Sequence, residues 1–143
     1  MHRFVTVQNE YSLVAREARD EVLPASRRLG LSFMPYFPLA SGLLTGKYRR
    51  GEAPPPGSRL AGPGGWDEFM TEERFAVVER LTKHAEAHGH TLLELAMSWL
   101  AAHTEVATVI AGATSAEQVR ANATAVEAWP LTGEELAEID ALL

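Results

Sequence analysis

Only three stretches of this chain read as β-strands, and helix-length segments separate them. FVTVQ, from Phe4 to Gln8, alternates and carries β-branched Val5, Thr6 and Val7. LSFMPYF, from Leu31, is the second. VATVIA, from Val106 to Ala111, is the third, a continuous apolar run of the kind expected for a parallel strand buried on both faces. Strands alternating with helices imply parallel pairing through right-handed crossovers, which defines an α/β class. Three parallel strands leave two open edges and make neither a closed barrel nor an ordinary doubly wound sheet. The chain is therefore expected to form part of something larger.

The helices announce themselves by their ends. Glu17 to Leu29 carries apolar Ala18, Val22, Leu23 and Leu29, with a bend expected near Pro24 and Gly30 closing the segment. Thr71 stands as an N-cap before Glu72 and Glu73, with Phe75, Val78 and Leu81 at helical spacing and Gly89 at the end. Thr91 to Glu94 is a capping box, followed by a stripe of Leu92, Leu95, Ala96, Trp99 and Leu100, so the two segments read as a helical hairpin. Ser115 to Gln118 is a second box, with Val119, Asn122 and Val126 on successive turns. Thr132 to Glu135 is a third and opens a final helix to Leu143. No repeat or linker is visible, and residues 1–143 read as one domain.

Between Pro38 and Gly65 lies a loop rich in glycine and proline, including Gly42, Gly46, Gly51, Pro54 to Gly57 and the GPGG run from Gly62. Structureless loops of this length are usually functional or disordered. The chain has 13 Lys and Arg against 19 Asp and Glu, a net charge of −6, which argues against nucleic-acid binding. Yet Lys47, Arg49, Arg50 and Arg59 fall within this loop beside a single acid, Glu52, a pattern suited to a small polyanion. Strand, glycine turn and capped helix around Gly112 to Ser115 make the geometry that binds phosphate.

With 143 residues, 46% of them hydrophobic, and no cysteine, the chain can bury a core without disulfides and has no thiolate ligand or nucleophile. No apolar run reaches membrane-span length and the N-terminus has no signal-peptide order, so a cytoplasmic protein without membrane contact is expected. His84 and His88 sit one turn apart, but HAEAH is not HExxH, and no metal site is expected. Ser41 lacks the G-x-S-x-G setting of a nucleophile elbow. Tyr11 and Tyr48 are expected to be structural.

VQNEYSLVAREARDEVLP, PYFPLASGLLTGKYRRGEAPPPGSR and VIAGATSAEQVRANA, in that order, resemble the C-terminal half of an aldo-keto reductase, closest to the subgroup of potassium-channel β-subunit-like enzymes. The resemblance implies a partial (β/α)8 TIM barrel, three parallel βα units with extra helices, corresponding to the sixth to eighth barrel strands. It further implies NADP(H) at the C-terminal strand ends, where such barrels commonly hold phosphate.

By resemblance, Gln8 at the end of its strand would meet the nicotinamide carboxamide and Tyr36 would stack on the nicotinamide ring. Pro38, Leu39, Ser41 and Gly42 would line the pyrophosphate, and Lys47 and Arg59 would fold over the phosphates. Gly112, Thr114, Ser115, Gln118 and Asn122 match the segment holding the 2′-phosphate and adenine. Gly112 stands where one large subgroup has lysine, Gln118 where it has arginine, and Ala121 where it has an acid, so a preference for NADPH would rest on Lys47 and Arg59.

The family's catalytic aspartate, tyrosine, lysine and histidine belong to its N-terminal half, which these residues do not match, so no catalytic residue is assigned. The resemblance thus implies the cofactor-binding half of a carbonyl reductase, inactive alone, with NADP binding weak or lost. The alternatives are one chain of a split enzyme and a non-catalytic binding or oligomerisation module. The open edges favour a homo-oligomer or a complementing barrel half.

Overall fold

A computed structural model describes residues 3–62 and 69–143. Strand β1 (Thr6–Glu10) pairs in parallel with β2 (Ser32–Tyr36), in a register that sets Gln8 opposite Met34 and Glu10 opposite Tyr36. The first strand therefore begins two residues later than its sequence implies and continues to Glu10. Phe4 and Val5 lie outside it, 89% and 71% exposed.

The third run also lies parallel to β2, but as bridges rather than a regular strand. Phe33 N–H donates to the Glu105 carbonyl (2.7 Å), Ala107 N–H to Phe33 (3.1 Å) and Ile110 N–H to Pro35 (2.9 Å). Phe33 bridges Val106 and Tyr36 bridges Ile110, so four steps here answer three on β2. One extra residue interrupts the ladder in the manner of a bulge. The expected burial on both faces does not occur. Phe33 and Pro35 are buried, whereas Tyr36 and Ile110 are 39% and 38% exposed. Thr6, Gln8, Glu10 and Tyr36 share the open side of the sheet.

Helices α1 (Val22–Leu29), α2 (Glu72–Ala87), α3 (Leu92–Ala101), α4 (Ala116–Ala128) and α5 (Gly133–Ala141) complete the described elements, with 3-10 turns at Glu17–Arg19, Ala40–Thr45 and Arg59–Ala61. The break expected at Pro24 falls earlier, between the first turn and α1. Pro24 sits in the first turn of α1, where its missing N–H would have had no helical partner. Gly30 adopts φ +64° and closes α1. Leu29, one of the apolar residues of this segment, is 51% exposed. Arg27 of α1 pairs with Glu105, fastening the helix to the entry of the third sheet segment.

Helix α3 is buried nearly all round, from Leu92 and Leu95 through Met97, Ser98, Trp99 and Leu100. Such a helix sits inside the packing rather than on it. Leu81 from α2, Ile139 from α5, Leu43 and Leu44 from the loop and Phe33 from the sheet belong to the same core. Each such large apolar side chain contributes roughly 1.5–3 kcal/mol of burial. Ser98 is satisfied by donating to the Ala125 carbonyl at 3.0 Å, which fixes α3 against α4. On α4 itself only Ala125 is buried, and Val119 is 57% exposed. The last helix stops at Ala141, before Leu143. No helix among the described residues is long and apolar enough to cross a membrane.

Candidate functional site

Because the sheet is parallel, its strands end at a common edge. Tyr36 closes β2 beside Ile110, so the loop after β2 and the Gly112 to Ser115 turn leave the sheet side by side. The first loop is built under backbone strain. Phe37, Ala40 and Ser41 hold φ of 59°, 44° and 58°, and Gly42 follows at 87°. Left-handed conformations cost non-glycine residues about 1–2 kcal/mol each and persist where the surroundings enforce them. Here Ala40, Leu43 and Leu44 are buried, and Thr45 Oγ1 donates to the Gly42 carbonyl at 2.7 Å.

The long loop is not structureless. Tyr48, 4% exposed, donates its hydroxyl to the Ser41 carbonyl (3.1 Å) and accepts from Leu60 N–H (3.4 Å). One phenol thus fastens the Arg59–Ala61 turn to the Ser41 turn, bringing Ser41, Gly42, Lys47 and the Arg59 backbone into one neighbourhood. Lys47 Nζ stands 5.1 Å from the Tyr48 ring centre. Pro38 is buried, and half-buried Leu39 packs against the core. The part of the GPGG run from Pro63 to Gly65 lies outside the described residues.

The basic loop carries less free charge than its sequence suggests. Arg50 pairs with Glu72 and with Glu79 (3.0 Å) on α2 and stacks on Phe75. Lys47, Arg49 and Arg59 are exposed and form no ion pair among the described residues.

At the second loop, Ser115 caps α4 by accepting from Gln118 N–H at 3.2 Å. The expected box is only half formed. Gln118 Oε1 accepts instead from Thr114 N–H (2.8 Å) and Thr114 Oγ1 (3.2 Å), closing a small exposed network. Gly112 has open space where a Cβ would stand, so close packing does not require glycine there. Asn122 is not joined to that network. It lies with Met97, Val106, Val109, Val119 and Val126 along an apolar groove between the third sheet segment and α4. Gln8 sits in mid-strand rather than at the strand end, on the same open face as Tyr36.

Tyr11 is fully buried and meets His103, its hydroxyl 3.2 Å from Nε2. His103 Nδ1 faces the Trp99 carbonyl at 2.8 Å, which makes Nδ1 the donor and leaves Nε2 to accept from Tyr11. Burial pushes the phenol up to about 12, the wrong direction for a proton donor near neutral pH. Tyr11 and Tyr48 are both buried and each joins segments distant in sequence through its hydroxyl. The His84–His88 pair, set aside for want of HExxH, gains a third ligand-bearing neighbour, Glu138 of α5.

Parallel strands alternating with helices, with two loops leaving one end of the sheet side by side, make this an α/β protein. The sequence pattern of the Aldo/keto reductase family matches residues 2–143, and the chain belongs to that family. It is 36% identical over 131 residues to a probable voltage-gated potassium channel subunit beta of Arabidopsis thaliana, covering 89% of this chain and 40% of that protein. It is 32% identical over 139 residues to the L-glyceraldehyde 3-phosphate reductase of Escherichia coli O157:H7, covering 93% and 40%. The solved glycerol dehydrogenase of Gluconobacter oxydans superposes with a TM-score of 0.78 at 27% identity, over 96% of this chain and 42% of that one. The chain thus spans about 40% of the length of the relatives it matches.

Proposed function

We propose that these residues are the NADP(H)-holding part of an aldo-keto reductase barrel, its sixth to eighth βα units, serving hydride transfer to aldehydes or ketones. The observation that supports this reading is the shared sheet edge at Tyr36 and Ile110, from which the Pro38 loop and the Gly112 to Ser115 turn depart side by side. Lys47 and Arg59 would hold the phosphates with Ser41 and Gly42. Tyr36 and Gln8, on one open face, would meet the nicotinamide ring and its carboxamide.

The turn at Gly42 supports the reading, because a side-chain-free residue at positive φ lies under the Lys47 ammonium. At Gly112 to Gln118 the fit is conditional, because Gln118 must release Thr114 before that amide can serve a 2′-phosphate. Asn122 would serve the adenine only from the groove beside α4. When bound, NADPH would supply the hydride, and these residues would hold and orient it. None of them supplies the proton, since Tyr11 is buried and the family's tetrad belongs to its N-terminal half.

Titration of NADPH and 2′,5′-ADP against the wild type and Lys47→Ala tests the binding role. Weaker binding by the variant supports it, and equal affinities would remove the role of the basic loop. Residues 1–143 alone are expected to show no ordinary turnover of 4-nitrobenzaldehyde with NADPH. Turnover at enzyme-like rates would overturn the assignment of the proton donor elsewhere.

A second reading, a non-catalytic module that pairs with another chain, is favoured by the groove of Met97, Val106, Val109 and Val126 and by exposed Ile110. Light scattering tests it: a homo-oligomer, or assembly with an added N-terminal barrel half, supports pairing. A monomer that ignores that half and binds no hydrophobic dye counts against it.

A further inference from the structure

Helix α2 ends in a group of imidazoles that the reductase reading does not use. His84 and His88 lie on one helical face, ring centres 4.4 Å apart, and Glu138 reaches them from α5. Each of the three offers one ligand atom, and these atoms all lie within 4.8 Å of one another. We propose that His84, His88 and Glu138 form a binding site for a divalent transition-metal ion of the zinc class, bridging α2 to α5.

Three features point the same way. The His84 Nε2 atom is buried and has no hydrogen-bond partner among the described residues, a costly condition for a ring nitrogen that a metal would relieve. His88 Nδ1 lies 2.8 Å from the His84 carbonyl, and only a donor satisfies that oxygen. The other nitrogen, Nε2, therefore carries the free lone pair, the arrangement in which a backbone carbonyl orients a ligating histidine. Glu138 is exposed and adds the hard, anionic third ligand. The adjacent Glu135 is committed elsewhere, to the Thr132 backbone and to Trp129 Nε1 (3.0 Å).

Two imidazoles and a carboxylate suit zinc, nickel or copper rather than calcium or magnesium, which prefer oxygen. Tetrahedral ligands at 2.0–2.2 Å from zinc stand about 3.4 Å apart, so modest rotation of the exposed His88 and Glu138 side chains closes the set. Three protein ligands leave a fourth position for water. Trp129 packs over the pair, its ring 6.0 Å from that of His84 and 5.2 Å from that of His88, and it stacks on His90 at 4.5 Å. His90 is outside the triad and provides an internal control.

The test is calorimetric titration of the untagged chain with Zn²⁺ at neutral pH, with thermal unfolding followed in parallel. One ion per chain at micromolar affinity is expected, with a rise in Tm because the ion binds the folded state. His88→Gln and Glu138→Gln, both at exposed positions, are each expected to weaken binding at least tenfold. His90→Gln is expected to leave it within twofold. Failure of the folded wild type to bind Zn²⁺ below 100 μM would overturn the site. So would unchanged affinity in the His88 and Glu138 variants.

Discussion

The ammonium end of Lys47 lies across Gly42, with Nζ and Cε 2.6 Å from where a Cβ at that glycine would stand. Gly42 also holds φ +87°, so alanine there is strained in the backbone, and its methyl group displaces Lys47. Gly42→Ala is expected to lower stability by about 1 kcal/mol and to weaken NADPH binding. If the loss of binding acts through Lys47, Gly42→Ala adds little to Lys47→Ala. Additive losses in a double-mutant cycle would show two separate effects.

Tyr48 joins two turns through its hydroxyl oxygen. Tyr48→Phe keeps the buried ring but leaves the Ser41 carbonyl without its phenol and Leu60 N–H without an acceptor. A loss of about 1–3 kcal/mol is expected by urea denaturation. Proteolysis should accelerate between Arg49 and Ala61 before the rest of the chain is cut, because the tether holding that segment is gone. Uniform cleavage across the chain would deny Tyr48 this local role.

The parts of the fold legible in the sequence are those set by short spacing. Thr71 caps its helix ahead of Glu72 and Glu73, Thr91 and Thr132 cap theirs with the i, i+3 partners Glu94 and Glu135, and Gly30 and Gly89 close theirs at positive φ. Contacts between distant residues were not legible. Nothing local marks Tyr48 as the link from Ser41 to Leu60, or Glu138 as the neighbour of His84 and His88. Arg50 reads as one more loop cation until Glu72, Glu79 and Phe75 converge on it. Val106 to Ala111 reads as a core strand because an apolar run has no marker for a bulge or for an uncovered face. The candidate site was thus readable as residue types and order, while its strained turn at Phe37 to Gly42 and the Gln118–Thr114 closure required coordinates.

Tyr11 ties stability to alkaline pH. Its folded value is raised to about 12 by burial from an ordinary 10. Between those values the unfolded chain loses the phenolic proton while the folded chain keeps it, so stability falls as pH rises through that window. Tyr11→Phe removes the titration and also the bond to His103. The variant is expected to be about 1 kcal/mol less stable than the wild type at pH 8, with the gap shrinking by pH 11. Denaturant midpoints at the two pH values check this; a gap independent of pH would refute it.

Glu135 sets the acid counterpart. Its carboxylate accepts from Thr132 N–H (2.7 Å), Thr132 Oγ1 (2.8 Å) and Trp129 Nε1 (3.0 Å), joining the start of α5 to the end of α4. Those bonds, the Thr132 backbone first, hold its carboxyl down to about 2 from an ordinary 4.5. A depressed folded value means that the contribution is complete above the unfolded value and is lost as pH falls toward the folded one. The stabilisation by Glu135 should therefore be intact at pH 6 and decline from about pH 4.5 to pH 2. Glu135→Gln keeps the shape of the cap without the charge, so its deficit in Tm against the wild type should be largest near neutrality and narrow steadily below pH 4. Because glutamine can still accept from Thr132 N–H, Glu135→Ala should show a larger deficit that does not close completely in acid. Parallel melting curves for all three proteins from pH 2 to pH 7 separate the charge from the geometry, and a constant deficit for Glu135→Gln would place the effect in packing alone.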